Sequence, residues 1–259
     1  MPSKSHQNQL CRLCHQHCGL VKSHIVPEFL HRPVYDDDHT ALFVDLETER
    51  VGERKTGFWQ HLLCRECEGR IGRLESYFAD VWFNRELRPR PVIDPNGPLL
   101  RVTGLDYTQF KLFHLSILWR AGVSTLGPFV EFRLGPHQDR IRQLLLAGDP
   151  GEAHQYGMSA IAMVGDDGWY KDDMVQIPRP GKRLGHHFYS AMFGGVTARQ
   201  VDVRSETPLG CDARRHFDPA IHAEADERNR HRAIVTVVEM RQWISDGLEY
   251  ETLPSGESG

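Results

Sequence analysis

The 259-residue chain lacks the features that mark several specialised classes of protein. No apolar run approaches the roughly 20 residues that a membrane-spanning helix needs, and the first residues hold no apolar segment of the kind found in signal peptides. We find no internal repeat, no Gly-rich phosphate-binding motif and no G-x-S-x-G nucleophile motif. These absences argue against a membrane, collagen-like, coiled-coil or disulfide-scaffold protein, and they lead us to expect a cytoplasmic one.

The chain also lacks a strong net charge. Its 31 basic and 35 acidic residues give a formal charge of −4, so it differs from general nucleic-acid binders, whose surfaces are broadly basic. A local binding site for nucleic acid stays compatible with this balance. The length allows one large domain or two modest ones with real cores.

Composition changes along the chain predict an α+β fold in two parts. Residues 10–87 hold most of the cysteines, and the proline-rich stretch 88–98 is typical of a linker. Residues 99–253 are expected to form a larger α+β domain with a buried helix and an antiparallel sheet. The polar ends, 1–9 and 254–259, are expected to be disordered tails.

Hydrophobic periodicity predicts the main helices and strands. Apolar residues recur at helical spacing in the first part, at Ile71, Leu74, Phe78, Val81 and Trp82. The stretch 107–121 is apolar nearly all round, which predicts a buried helix in which His114 is a satisfied core histidine. A further helix is predicted at 138–146, and 36–60 is expected to be an inserted hairpin. Four short runs predict strands at 160–164, 174–177, 187–193 and 233–238.

Two CxxC pairs predict a structural zinc site. Each pair, Cys11 with Cys14 and Cys64 with Cys67, places two thiolates on one side of a tight bend. Two such bends supply the four corners of a tetrahedron, which suits zinc in a reducing compartment. Three neighbours are minor alternative ligands without a matching partner: Cys18, His15 and His17.

A histidine between the two cysteine pairs is a candidate catalytic residue beside this structural zinc site. The segment Ser-His-Ile-Val-Pro at 23–27 follows a strand-like run, and its proline ends strand pairing. The second cysteine pair then leads into a helix, so strand, turn, strand and helix succeed one another beside the zinc. The CxxC pair, the Ser-His-Ile-Val-Pro strand and the Leu-Cys-x-x-Cys helix start together resemble the HNH endonuclease family, the ββα-metal nucleases, over about residues 10–84.

The resemblance implies a ββα-metal module that hydrolyses phosphodiester bonds of nucleic acid, expected to be DNA. In this family the histidine of the strand is the general base that activates water, and here that residue is His24. An imidazole of ordinary pKa, about 6.5, offers its neutral form at pH 7. A magnesium or manganese ion then stabilises charge on the phosphate and the leaving oxygen. The resemblance to bacterial HNH-type proteins with a long C-terminal region further suggests a role in antiviral defence.

The cation ligands depart from the family pattern. The residue before the catalytic histidine is often an aspartate or histidine that ligates the cation, and here it is Ser23. Helical steps place Glu68 and Glu75 on one face, with the small Gly72 and Ala79 beside them. Because carboxylate oxygens suit magnesium or manganese, both glutamates are predicted catalytic residues and, with Ser23, cation ligands. Two solvated helix residues would give the same pattern.

Phosphate contacts need cationic side chains. Arg65, Arg70 and Arg73 on the predicted helix are the candidates, although interleaved acidic residues make a solvated mixed-charge face an equal interpretation. Weak intrinsic affinity would suggest a protein partner or a homo-oligomer that delivers the substrate. A second basic cluster at 182–187 offers another contact.

Two rival functions stay open. The first is a non-catalytic zinc module that binds nucleic acid or a protein partner, with Ser23 marking a decayed metal site. The second is a regulatory protein whose function lies wholly in the C-terminal domain.

Overall fold

Helices and strands are mixed along the chain in the computed structural model, which confirms the α+β class. The structure describes residues 8–45, 50–84, 99–102, 105–152, 155–164, 170, 172–183, 186–201 and 233–239. The predicted linker at 88–98 and the predicted tail at 254–259 lie outside these residues. Within the described part, no helix has both the length and the apolar character that a bilayer crossing needs.

Two strands and a helix form the unit that carries the predicted site. Strand β3 (Leu20–His24) pairs antiparallel with β6 (Trp59–Cys64), and β6 runs directly into helix α2 (Arg65–Trp82). The Cys64 sulfur caps this helix by accepting a hydrogen bond from the Cys67 backbone N–H. The predicted apolar stripe faces the core, because Ile71, Phe78 and Trp82 are buried.

The first part of the chain also contains five shorter elements: β1 (Gln9–Leu10), β2 (His17–Cys18), helix α1 (Glu28–His31), β4 (Ala41–Asp45) and β5 (Arg50–Arg54). Strands β1 and β2 form a ribbon that includes Gln9 from the predicted tail. Strands β4 and β5 pair antiparallel, so the hairpin predicted within 36–60 is present.

Helix α3 (Tyr107–Val123) is buried on nearly all sides, as its sequence predicts. Asp106 caps its first turn by accepting a hydrogen bond from the Gln109 backbone N–H. Helix α4 (His137–Ala147) extends the predicted helix by one residue at each end and stops at Gly148, whose φ of 68° is left-handed. Three basic side chains are buried on α3: Lys111, His114 and Arg120.

A six-stranded sheet follows, and its strands are β7 (Leu99–Val102), β8 (Gly157–Val164), β9 (Gln176–Arg183), β10 (His186–Phe193), β11 (Val196–Val201) and β12 (Ala233–Glu239). Their order is β7-β12-β8-β11-β10-β9. The neighbours are antiparallel, as predicted, with the exception of β12 and β8, which pair in parallel. The sequence patterns also missed β7 and β11.

Strand β9 differs from the strand predicted at 174–177. It begins at Gln176 and continues to Arg183 through Pro178 and Pro180. A proline removes a backbone donor and normally marks the end of a strand, but β9 lies at the sheet edge, where one side needs no hydrogen-bonded partner.

The hydrophobic core is continuous across the predicted linker. Phe78 of α2 stacks on Phe113 of α3 with ring centroids 4.1 Å apart. Trp82 donates a hydrogen bond of 3.0 Å from its indole nitrogen to the Gly194 carbonyl oxygen, beyond β10. The division into two domains stays a prediction, but the two parts share apolar packing in the described residues.

Candidate functional site

Four cysteines meet at the base of the β3–β6–α2 unit. Their sulfur atoms all lie within 4.8 Å of one another, and we name Cys11, Cys14, Cys64 and Cys67 the cysteine group. Four sulfurs at tetrahedral corners around zinc, with bonds of about 2.3 Å, need this kind of spacing. The structure therefore confirms a four-cysteine group able to hold a metal such as zinc.

The surroundings of the cysteine group suit thiolate ligands. Backbone N–H groups donate to sulfur, from Cys64 to the Cys11 Sγ at 3.3 Å and from Cys67 to the Cys64 Sγ at 3.5 Å. Burial, with the adjacent Cys64 and Cys11 sulfurs, raises the pKa of the Cys67 thiol. A metal bound here would displace the thiol protons, and the all-sulfur donor set favours zinc.

The three minor alternative ligands stay outside this group in the described structure. Cys18 is half-buried and its thiol donates to the Gln16 carbonyl oxygen at 3.3 Å. His15 and His17 are exposed. The metal-ligand group among the described residues includes none of the three.

His24 lies at the end of β3, where its imidazole faces a carboxylate. Its Nε2 is 3.3 Å from the Glu28 Oε2, a close electrostatic contact without the geometry of a hydrogen bond. Glu28 is held in place because it accepts hydrogen bonds from the Tyr35 hydroxyl at 2.6 Å and the Gly57 backbone N–H at 3.1 Å. Burial lowers the pKa of His24, although Glu28 opposes this, and the imidazole is therefore neutral at pH 7.

Gly57 permits the close packing around Glu28. A Cβ atom on this residue would lie 2.9 Å from the His31 ring and 3.1 Å from the Glu28 Oε2. A side chain at this position would therefore displace the His31 ring or the Glu28 carboxylate, which glycine leaves in place. Sequence analysis missed Glu28, although its position four residues after His24 was a signal for a contact.

Ser23 and Glu68 are joined directly. The fully buried Ser23 hydroxyl donates a hydrogen bond of 2.5 Å to the Glu68 Oε2. Burial raises the pKa of Glu68, and the Ser23 hydroxyl works against that rise. Ser23 thus positions a carboxylate that was itself predicted to hold the cation.

Glu75 is paired with a buried arginine that sequence analysis missed. The fully buried guanidinium of Arg120, on α3, donates to the Glu75 Oε1 at 2.7 Å and to the His24 carbonyl oxygen at 2.6 Å. Its other nitrogens contact Ser116. An arginine inside an otherwise apolar helix was a signal, because buried charges are almost always paired. We call Ser23, His24, Glu68, Glu75 and Arg120 the His24 cluster.

The three predicted nucleic-acid contacts have different surroundings. Arg65 and Arg73 are exposed on α2, and the Arg73 guanidinium reaches only the Gly69 carbonyl oxygen of its own helix. Arg70 is half-buried and donates to the Leu146 carbonyl oxygen, which joins α2 to α4. In the second basic cluster, Lys182 and Arg183 lie in β9 and His186 and His187 in β10, but their side chains fall outside the described structure.

His114 is the core histidine that its sequence context predicts. It is buried, and its Nδ1 lies 2.8 Å from the Phe110 carbonyl oxygen. Four phenylalanine rings surround it: Phe78, Phe110, Phe113 and Phe193. Burial lowers the pKa of His114 to about 4, so it is neutral at physiological pH.

Comparisons with known proteins return no match. No family model matches the chain, and neither the curated proteins nor the solved structures include one similar to it.

Proposed function

We propose that the chain is a metal-dependent endonuclease of the HNH type, which hydrolyses phosphodiester bonds of nucleic acid, DNA in the first place. The observation that carries this proposal is the meeting of His24, Glu68 and Glu75 on a β3–β6–α2 unit whose base holds four cysteines. The sequence resemblance supports it, and it is also the ground for a role in antiviral defence.

His24 acts as the general base in this proposal. Its imidazole is neutral because burial lowers its pKa, so one nitrogen can accept a proton from water. Glu28 faces Nε2 and favours the tautomer with a proton on that nitrogen, which leaves Nδ1 as the basic atom. Arg120 fixes the backbone at this residue by its hydrogen bond to the His24 carbonyl oxygen.

The two glutamates would hold a magnesium or manganese ion. Ser23 uses one oxygen of Glu68, and Arg120 uses one oxygen of Glu75, so each carboxylate keeps a second oxygen with no hydrogen bond in the described structure. Two free carboxylate oxygens fit a hard cation. When bound, the ion supplies charge stabilisation at the phosphate. Zinc in the cysteine group would be structural, because four protein ligands leave no open position.

A non-catalytic zinc module is the second candidate, and Arg120 is the observation that favours it. This guanidinium already neutralises Glu75, and the Ser23 hydroxyl already satisfies Glu68. A cluster whose polar groups satisfy one another would have less need of a cation. The chain would then bind nucleic acid or a protein partner without cleaving it.

Plasmid nicking separates the two candidates. Purified protein is incubated with supercoiled plasmid and magnesium or manganese, beside His24→Ala and His17→Ala. We expect the wild type to nick the plasmid and His24→Ala to lose about 10²–10⁴ of the rate. His17 is exposed on β2 and outside the His24 cluster, so His17→Ala keeps full activity. Equal rates for wild type and His24→Ala would contradict the nuclease proposal, as would the absence of any nicking.

A further inference from the structure

A cavity of about 410 Å³ lies away from the His24 cluster. Its wall is made by the bend of the first cysteine pair, the end of α3 and the start of α4. None of the residues of the His24 cluster lines it. The volume is that of a small-molecule site, and such sites often lie where separate parts of a chain meet.

Positive charge dominates the wall of this cavity. Three arginines, Arg12, Arg133 and Arg142, line it together with His15, and Asp139 is the single carboxylate among the described lining residues. The whole chain carries a formal charge of −4, so this group of guanidinium side chains is opposite in sign to the net charge of the chain. We propose that the cavity binds a phosphate-bearing ligand.

The arginines offer both a fixed and an adaptable contact. Arg142 is held in place, because it donates to the Asp139 Oδ1 at 2.7 Å and to the Leu13 carbonyl oxygen at 3.0 Å. Arg12 and Arg133 are exposed, and no charged side chain of the described structure pairs with either. Guanidinium groups bind phosphate oxygens through two parallel hydrogen bonds, so unpaired arginines beside a fixed one suit a phosphate.

The contacts of the wall explain why a ligand here would matter to the fold. Arg142 reaches the Leu13 carbonyl oxygen inside the first CxxC bend. On the other side, Gln60 of β6 donates to the Thr125 hydroxyl at 2.6 Å and accepts from the Ser124 hydroxyl at 3.2 Å. A bound phosphate ester would therefore cross-link the cysteine group to α3 and α4.

Two sources share this chemistry, a free nucleotide and the backbone of a polynucleotide. Isothermal titration of the full, metal-loaded chain with inorganic phosphate, ATP and a short DNA duplex distinguishes them. No divalent cation is added, so the outcome does not depend on whether the chain is a nuclease. Binding of ATP without the duplex identifies a nucleotide site, and binding of the duplex identifies a backbone contact.

The variants decide whether the cavity is responsible. We expect the double variant Arg12→Ala/Arg133→Ala to weaken binding about tenfold or more, since two charge-assisted contacts are lost. Arg140→Ala is the control, because Arg140 is exposed on α4 and outside the cavity wall. Failure of all three probes to bind, or equal weakening by the double variant and Arg140→Ala, would overturn the proposal.

Discussion

The cysteine group and the His24 cluster both include residues of the β3–β6–α2 unit, yet their charges are balanced in different ways. The cysteine group brings four sulfur atoms within 4.8 Å of one another. The His24 cluster contains its own cation, because the Arg120 guanidinium contacts Glu75. The first cluster is able to hold a metal, whereas the second is held together by contacts between protein groups.

Replacement of one cysteine of the cysteine group tests whether this group binds zinc, and it has the largest expected effect. We expect Cys67→Ser to lose bound zinc and cooperative unfolding, because structural zinc contributes on the order of 10 kcal/mol, comparable to the stability of a whole domain. Metal analysis and urea unfolding measure both effects. Cys18→Ser is the control, since Cys18 is outside the cysteine group. Full zinc content in Cys67→Ser would contradict the assignment.

Replacement of Arg120, the cation of the His24 cluster, tests whether protein groups hold this cluster together. Arg120→Met keeps the apolar stem of the side chain but leaves Glu75 and the His24 carbonyl oxygen without their donor. Breaking a buried ion pair from one side costs about 3–5 kcal/mol in the free energy of unfolding. The exposed Arg73 provides a matched control on α2, and Arg73→Met is expected to change stability by less than about 0.5 kcal/mol. Similar urea midpoints for the two variants would show that Arg120 does not hold the His24 cluster together.

His114 shows what burial does to an ionisable group without a charged partner. The unfolded chain binds a proton at this imidazole near pH 6.5, and the folded chain only near pH 4. Stability therefore falls as the pH falls between these values, by about 3 kcal/mol for this group. The variant His114→Phe should lose this contribution to the pH dependence of stability. Burial also lowers the pKa of His24 and of His31, so these two histidines supply part of the pH dependence that is left. Urea unfolding of both proteins at pH 7 and about pH 4.5 measures the difference, and an unchanged pH dependence would contradict it.

Removal of the Ser23 hydroxyl should have the smallest effect on stability. Ser23→Ala leaves the Glu68 carboxylate without its short hydrogen bond and costs about 1–2 kcal/mol in the free energy of unfolding. Ser76 is exposed on α2, so Ser76→Ala should be neutral or slightly stabilising there. If Ser23→Ala is as stable as Ser76→Ala, the hydroxyl does not support Glu68.

The two clusters were predictable from the sequence to different degrees for a physical reason. The cysteine group depends on two local bends, and a CxxC pair fixes each bend by itself. Helical periodicity likewise placed Glu68 and Glu75 on one face. Their partners depend on the packing of distant segments, because Ser23 with Glu68 and Glu75 with Arg120 are each 45 positions apart along the chain.

The same limit explains what the sequence patterns missed in the sheet. Local periodicity predicts where a strand can form, but not which strand lies beside it. The parallel pairing of β12 with β8 joins segments about 75 residues apart, and the position of β9 at the edge is what tolerates Pro178 and Pro180. The buried helix α3 was predictable because its composition alone indicates burial on all sides.

Chemical rescue of His24 tests the proposed function most directly. His24→Gly removes the imidazole and leaves space for a small base, while Glu28, Glu68 and Glu75 stay in place. We expect this variant to nick plasmid DNA far more slowly than the wild type and to regain activity as imidazole is added, because free imidazole replaces the missing general base. A wild-type rate in His24→Gly without imidazole, or no recovery at any imidazole concentration in a folded, zinc-loaded variant, would contradict His24 as the base.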